Sequence, residues 1–171
     1  QDSSFYQTGL NCAYFQHAGN GYAERRFAQT SENIRDYVND TLGYTVNRVY
    51  YTSSSVNPTN WNNGSYSNGE PIPTSLLKPG FAWDGDYADI INKINAGSFY
   101  VFHRDHGFTD GWGDPYFTKT HINSLSNGTK QPVVFSINCL TGKFSESECF
   151  AERFLRAYDK GAVGVFAHFE I

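Results

Sequence analysis

Two short apolar runs constrain the fold of this chain more than any other feature. The first is FYVFHR at residues 99–104, and the second is VVFSI at residues 133–137. Strands that are apolar at nearly every position fit a parallel sheet that is covered on both faces. Each run is followed closely by a side chain capable of chemistry, His106 after the first and Cys139 after the second. Because ligands bind at the carboxyl ends of the strands in such sheets, we expect these two side chains to lie at one edge.

The rest of the chain alternates between strand and helix patterns. Further candidate strands lie at residues 11–16, 45–51 and 162–167, and candidate helices lie at 25–40, 84–97, 118–125 and 150–158. The helical segments have apolar residues at a spacing near 3.6, and several end close to a glycine such as Gly97. This alternation predicts a single α/β domain over residues 1–171, with an open, mostly parallel β-sheet flanked by helices.

One long segment, residues 53–80, has no periodicity and is rich in Pro, Asn, Ser and Gly. Irregular segments of this length inside a domain are uncommon and are often functional. Two interpretations remain open. The segment is either a disordered surface insertion or a loop beside a substrate cleft, to which Trp61, Tyr66 and Trp83 would supply contacts.

The composition excludes some classes of protein. Of the 171 residues, 39% are hydrophobic and 17% aromatic, which predicts a globular domain with a full core. The formal net charge of −4 gives no electrostatic reason to expect a nucleic acid partner. No apolar run approaches the roughly 20 residues needed to span a bilayer. Only 18% of the residues are charged, and this polar, uncharged surface composition favours a secreted or cell-surface protein.

The two residues that follow the apolar runs suit nucleophilic catalysis. A thiol is mostly protonated at neutral pH, so Cys139 needs a base, and His106 could take its proton. The resulting thiolate attacks a carbonyl, and the imidazolium then protonates the leaving amine. The tetrahedral oxyanion needs backbone donors, for which the amides of Gly107 and Cys139 are the candidates. Cys12 and Cys149 are expected to be small buried hydrophobic residues.

Simpler interpretations of the same residues stay open. A cysteine at the end of a strand often serves only in packing, and a histidine in a loop is often only polar surface. His103 competes with His106, although its place within the strand predicts that it points to one face of the sheet. The HxxH spacing of these two histidines could also suggest a metal, but no matching Cys or His cluster is near, so no metal site is predicted.

Three longer motifs resemble the gingipain-like cysteine peptidases of peptidase family C25, which share a clan with the caspases. They are HRDHGFTDGWGDP, LSNGTKQPVVFSINCLTGKF and CFAERFLR, and the likeness covers most of residues 20–168. The resemblance implies a caspase-like α/β fold with Cys139 as nucleophile, His106 as general acid and base, and Gly107 as an oxyanion donor. Family members are typically secreted or surface-bound bacterial endopeptidases.

The resemblance also implies which further groups to expect. No cofactor is required, but several members bind structural calcium, for which Asp84, Asp86, Asp110 and Asp114 could supply oxygen ligands. Solvated turn and cap residues are the simpler interpretation of these acids. Some members orient the histidine with an acid, and the candidates here are Glu70, Asp84 and Asp105. Specificity for Arg or Lys cannot be carried over.

The chain stops soon after its fifth predicted strand. Family members continue beyond this point, so we expect the domain to be truncated at its C-terminal end and to associate with a further chain or segment that completes it. The predicted function is a cysteine endopeptidase that acts on protein or peptide substrates through a thioester acyl-enzyme. The alternatives are an inactive relative that binds peptides or glycans, and a sortase-like transpeptidase.

Overall fold

A sheet of parallel strands forms the centre of the computed structural model, which describes residues 3–17, 19, 21–62 and 69–170. The strands in chain order are β1 (Thr8–Tyr14), β2 (Thr45–Tyr51), β3 (Tyr100–Arg104), β4 (Gly107–Phe108), β5 (Gly111–Trp112), β6 (Phe117–Thr118), β7 (Val133–Ile137) and β8 (Gly164–Ala167). Five of them form the sheet in the order β2-β1-β3-β7-β8, and every neighbouring pair is parallel. The predicted fold class is therefore confirmed.

Helices connect these strands and cover the sheet. They are α1 (Phe27–Asp36), α2 (Tyr87–Gly97), α3 (Lys119–Ile122) and α4 (Phe150–Arg156). All four predicted helices are longer than those observed, and the second begins at Tyr87 instead of residue 84. The first changes to a wider π-helical turn at Tyr37–Thr41, the third is a single turn, and the fourth ends at Arg156. Among the described residues, no helix combines the length and the apolar character needed to cross a membrane.

A second, smaller sheet was absent from the prediction. Strands β4, β5 and β6 pair in antiparallel order between His106 and α3. Each has two residues, which is too short to show the alternation by which a strand is recognised in a sequence. This small sheet buries Trp112 and Phe117 against α4, so it closes one face of the main sheet.

The interpretation of residues 53–80 as a disordered insertion is wrong for the residues described, which are 53–62 and 69–80. Trp61 is 6% exposed and Trp83 is 1% exposed. Both pack in a second core cluster that includes Phe15 and Leu76. These two tryptophans therefore belong to the core, and the prediction that they contact a substrate is wrong as well. Tyr66 lies outside the described residues.

The register of the sheet places the ends of β3 and β7 side by side. Arg104 pairs with Ile137 across these two strands. His106 and Cys139 each follow two residues after this pair, so both leave the sheet at the same edge. This edge is the carboxyl end of the parallel strands, as expected for a ligand site in an open α/β sheet.

Candidate active site

A cavity of about 660 Å³ opens at the carboxyl edge of the sheet. His106 and Cys139 both line it, beside residues from the ends of β3, β7 and β8 and from the start of α1. The other lining residues are Phe27, Arg104, Asp105, Ser136, Ile137, Asn138, Val165, Phe166, Ala167, His168 and Glu170. The imidazole of His106 is exposed and Cys139 is half-buried, so both can be reached from solvent. The structure thus brings the two predicted residues together at one concave site.

Two contacts hold the imidazole of His106. Its Nε2 atom lies 2.9 Å from Oε1 of Gln16, and its ring meets the ring of Phe27 edge to face at 5.3 Å. An amide oxygen accepts a hydrogen bond, so in the neutral ring Nε2 carries the proton and Nδ1 is the acceptor nitrogen. The sequence interpretation did not single out Gln16. The signal was available, because Gln16 ends the first candidate strand and so lies at the same sheet edge.

A tight turn presents Cys139 at the end of β7. The amide of Thr141 donates to the carbonyl of Cys139 at 2.7 Å, and Leu140 between them has a φ of 59°. A positive φ is uncommon for a residue with a side chain and persists only where the surroundings hold it. Those surroundings are backbone hydrogen bonds from Gly142 to His168 and from Ala151 to Thr141.

A buried polar network fixes the residue before Cys139. Asn138 accepts hydrogen bonds at Oδ1 from the hydroxyls of Thr141 at 2.7 Å and Ser136 at 3.1 Å. Its Nδ2 donates to Nδ1 of His103 at 2.7 Å. Trp112 completes the network by donating from its indole nitrogen to Ser136 at 2.8 Å. Asn138 therefore ties the turn at Cys139 to both β3 and β7.

His103 belongs to this network and not to the cavity. It is fully buried, and its ring stacks on Trp112 with centroids 4.3 Å apart. Its Nε2 lies 3.2 Å from the carbonyl oxygen of Asp114. Burial lowers the pKa of His103 to about 3, so the ring is neutral and accepts a hydrogen bond from Asn138. Burial thus places His103 outside the cavity that His106 lines.

Gly107 packs directly against the turn that carries Cys139. A Cβ atom at this position would lie 2.6 Å from both Asn138 Oδ1 and the carbonyl oxygen of Cys139, so a side chain does not fit. The amide of Gly113 donates to the carbonyl of His106 at 3.0 Å, which places the ladder hydrogen bonds of β4 and β5 beside Gly107. In an antiparallel pair such a residue points its own N–H away from the partner strand. The Gly107 amide therefore faces away from β5.

Among the described residues, none of the three candidate acids forms a hydrogen bond or an ion pair with the imidazole of His106. Asp105 is buried, and its Oδ2 accepts from the backbone amide of Asp114 at 2.7 Å, while its Oδ1 has no hydrogen-bond partner. Burial raises the pKa of Asp105 to about 7, against the opposing effect of the His106 and Asp114 amides. Glu70 and Asp84 do not line the cavity.

The remaining predicted residues have structural surroundings. All three cysteines are free thiols, and Cys12 and Cys149 are buried as predicted. Asp86 caps α2, and Asp110 pairs with Lys119 at 2.6 Å. Within the described part of the chain, no group of three or more His, Cys, Asp and Glu side chains is arranged to hold a metal ion. Structural calcium stays a prediction.

Comparison with known proteins identifies a family for this chain. A model of peptidase family C25 matches residues 7–171. Gingipain R2 of Porphyromonas gingivalis is 36% identical over 74 residues, which are 43% of this chain and 10% of that protein. Lys-gingipain of the same species is 30% identical over 77 residues, which are 44% of this chain and 4% of that protein.

Two solved structures have the same fold. The Arg-specific cysteine proteinase gingipain R (RgpB) matches with a TM-score of 0.67 and 20% identity, over 96% of this chain and 32% of that chain. The complex of the Porphyromonas gingivalis RgpB pro- and mature domains matches with a TM-score of 0.68 and 20% identity, over 97% of this chain and 33% of that one. The chain thus spans about a third of these solved chains and a tenth or less of the full relatives.

Proposed function

This chain belongs to peptidase family C25, and we propose that it is a cysteine endopeptidase whose catalytic pair is Cys139 and His106. One observation carries the proposal. The two side chains line one cavity at the carboxyl ends of neighbouring parallel strands. The substrates are proteins or peptides, since an acyl group with an amine leaving group is what a thiolate and an imidazolium process together.

The reaction follows from the two side chains. His106 takes the thiol proton, and the thiolate sulfur of Cys139 attacks the carbonyl carbon of the scissile bond. The tetrahedral intermediate collapses when the imidazolium gives its proton to the leaving amine, which leaves a thioester on Cys139. His106 then takes a proton from water, the hydroxide attacks the thioester, and the carboxylic acid and the free thiol are released.

Backbone amides would stabilise the negative oxygen of the intermediate. The Gly107 amide points away from β5, and its residue packs against the carbonyl of Cys139. The amide of Cys139 is the second candidate donor. Removing one such donor from a protease typically costs about 10²–10³ in kcat. The absence of a side chain at Gly107 thus supports the proposal, because it lets the backbone at Gly107 pack closely against the turn that carries Cys139.

Thiol labelling tests the catalytic pair without a known substrate. Native protein is treated with iodoacetamide from about pH 5 to 9, and adducts on the three cysteines are mapped by mass spectrometry. We expect Cys139 to react faster than an unpaired thiol, because His106 lines the same cavity and can take its proton. Cys12 and Cys149 should stay unlabelled because they are buried.

Variants give the matching controls. His106→Ala should abolish the fast labelling of Cys139. His121 lies outside the cavity, so His121→Ala should retain this labelling. Cys139→Ala should lose all peptide cleavage with an unchanged circular dichroism spectrum. Undiminished cleavage by Cys139→Ala, or slow labelling of Cys139 that His106→Ala leaves unchanged, would overturn the proposal. An added amine that appears in the product would instead identify a transpeptidase.

We also propose that the protein acts outside the bacterial cell or on its surface, and that a further chain or segment associates with this domain. The low share of charged residues supports the first point. The complex of pro- and mature domains in a structural neighbour supports the second by analogy. Cell fractionation with an antibody to this domain tests the location, and recovery of the protein in the cytosol alone would contradict it.

A further inference from the structure

The register of the sheet brings Gln16 beside His106. Strands β1 and β3 are neighbours, and Ala13 pairs with Arg104. The chain runs on past β1 through Phe15, whose amide donates to the carbonyl of Tyr51 at 2.8 Å, and Gln16 follows at the carboxyl edge of the sheet. Its Oε1 lies 2.9 Å from Nε2 of His106. The contact joins two residues that are 90 positions apart in the chain.

Glu24 determines which end of the Gln16 amide faces the histidine. The Nε2 of Gln16 donates to Oε2 of Glu24 at 2.9 Å. A carboxylate only accepts, so it selects the NH₂ group of the amide and turns the amide oxygen toward His106. Glu24 is itself held by its backbone, since its amide donates to the carbonyl of Gln16 at 2.6 Å and its carbonyl accepts from Asn62 Nδ2 at 2.6 Å.

We propose that Gln16 is the positioning residue of His106 and that Glu24 orients it. The inference rests on the proposed function. It adds two supporting residues, Gln16 and Glu24, to the catalytic pair. The chain Glu24–Gln16–His106 places the proton on Nε2 of the imidazole, which leaves Nδ1 to exchange a proton with Cys139. A neutral amide therefore takes the place in which a carboxylate would be expected to contact the ring.

The neutral contact has a chemical consequence. An amide oxygen fixes the tautomer and the ring orientation, but it stabilises an imidazolium less than a carboxylate does at the same distance. The full negative charge is one residue further away, on Glu24. The edge-to-face contact with Phe27 supplies the second restraint on the ring. A single acid would both orient the imidazole and stabilise its positive charge. Here Gln16 and Phe27 orient the ring, and the negative charge lies on Glu24.

Three variants test the inference through the pH profile of peptide cleavage and of Cys139 labelling. Gln16→Ala should lower kcat by about tenfold to a hundredfold with little change in KM, which is less than the loss from removing the acid and base itself. The double variant Gln16→Glu with Glu24→Gln keeps a hydrogen bond between these two side chains. It should restore activity relative to Gln16→Ala and extend it to higher pH, because the carboxylate at position 16 holds the imidazolium charged. Glu24→Gln should lower kcat by a smaller factor, because the Gln16 amide is then free to rotate.

A matched glutamine variant and the labelling assay separate the outcomes. Gln131 precedes β7, at the end of the sheet opposite the cavity. The variant Gln131→Ala should therefore leave kcat and the pH profile unchanged. Normal kcat and a normal profile in Gln16→Ala, with wild-type labelling that still depends on His106, would overturn the role of Gln16 alone. A double variant Gln16→Glu with Glu24→Gln that folds but neither restores kcat nor moves the profile would do the same. Wild-type labelling that is independent of His106 would overturn the proposed function and this inference together.

Discussion

At the scale of single residues, burial separates side chains that are chemically alike. His103 and His106 are three positions apart, yet one stacks on Trp112 in the core and the other is exposed in the cavity. Desolvation penalises the charged form of a group, so burial removes His103 from proton transfer at neutral pH. The same effect acts on Asp105, whose carboxyl is buried next to the candidate base.

Asp105 should make the folding stability depend on pH. Its pKa is raised in the folded state to about 7, well above the ordinary value of a carboxyl, so the folded protein binds this proton more tightly than the unfolded chain. This contribution to stability is fully present below the ordinary carboxyl pKa of the unfolded chain, falls as the pH rises between the two pKa values, and is lost above the folded pKa. We expect the urea midpoint of the wild type to fall between about pH 4 and 7, and less so in Asp105→Asn.

The exposed acid Asp40 provides the control for this measurement. Asp40→Asn should keep the wild-type slope of midpoint against pH, since its carboxyl stays in solvent. Equal slopes in the wild type and Asp105→Asn would show that the buried carboxyl does not carry the effect.

At the scale of elements, helix and strand ends follow local chemistry where a local signal exists. Helix α2 begins where Asp86 accepts from the amides of Ala88 at 2.7 Å and Asp89 at 3.1 Å, and it ends at Gly97 with a φ of 116°. The acids and the glycine predict both ends from the sequence. Strands β4 to β6 have no such signal, because their pairing depends on each other and on Trp112 being buried beneath α4.

Removing the cap should weaken α2 measurably. Asp86→Ala leaves the amides of Ala88 and Asp89 without this acceptor, and we expect the free energy of unfolding to fall by about 1 kcal/mol. Asp84→Ala is the matched variant, an exposed acid two residues earlier, and should change it by less than about 0.5 kcal/mol. Both are measured by urea denaturation. Equal losses would show that the capping hydrogen bonds contribute nothing beyond a surface charge.

At the scale of the whole molecule, two separate clusters of buried residues stabilise the fold. One joins the sheet to α2 and α4, and the other lies beneath residues 53–62 and 69–80. The second cluster explains how a segment without periodicity is held in place. The tryptophans and aliphatic side chains of this cluster are buried. The backbone of the segment pairs through single bridges, such as that of Asn60 with Pro71.

Trp61 should therefore act on stability and not on substrate binding. Trp61→Ala removes a buried aromatic side chain, and the free energy of unfolding should fall by about 3 kcal/mol or more. Under conditions where the variant is folded, its KM and its rate of Cys139 labelling should match the wild type. Tyr158→Ala, at a residue that is 92% exposed, serves as the aromatic control with little loss of stability. A raised KM with unchanged stability would restore the substrate-contact interpretation.

Much of the architecture could be predicted because its signals are local. Strands β2 and β7 have the predicted bounds, and the start of α2 was visible in the acids before it. The placement of His106 and Cys139 at one sheet edge also follows from the sequence, since both come directly after buried parallel strands. The partner of His106 was not predicted, because an acid was expected there and the amide of Gln16, two residues past the end of β1, fills the position.

The sequence by itself determined the parallel α/β class, the order of the strands along the chain and the two residues proposed for catalysis. These depend on apolar periodicity, capping and turn chemistry, which act within a few residues. The tertiary structure alone decided that His103 is buried, that Trp61 and Trp83 form a core, and that Glu24 and Gln16 reach His106. Each of these depends on burial or on contacts between residues far apart in the chain, and neither is encoded in the spacing of neighbours.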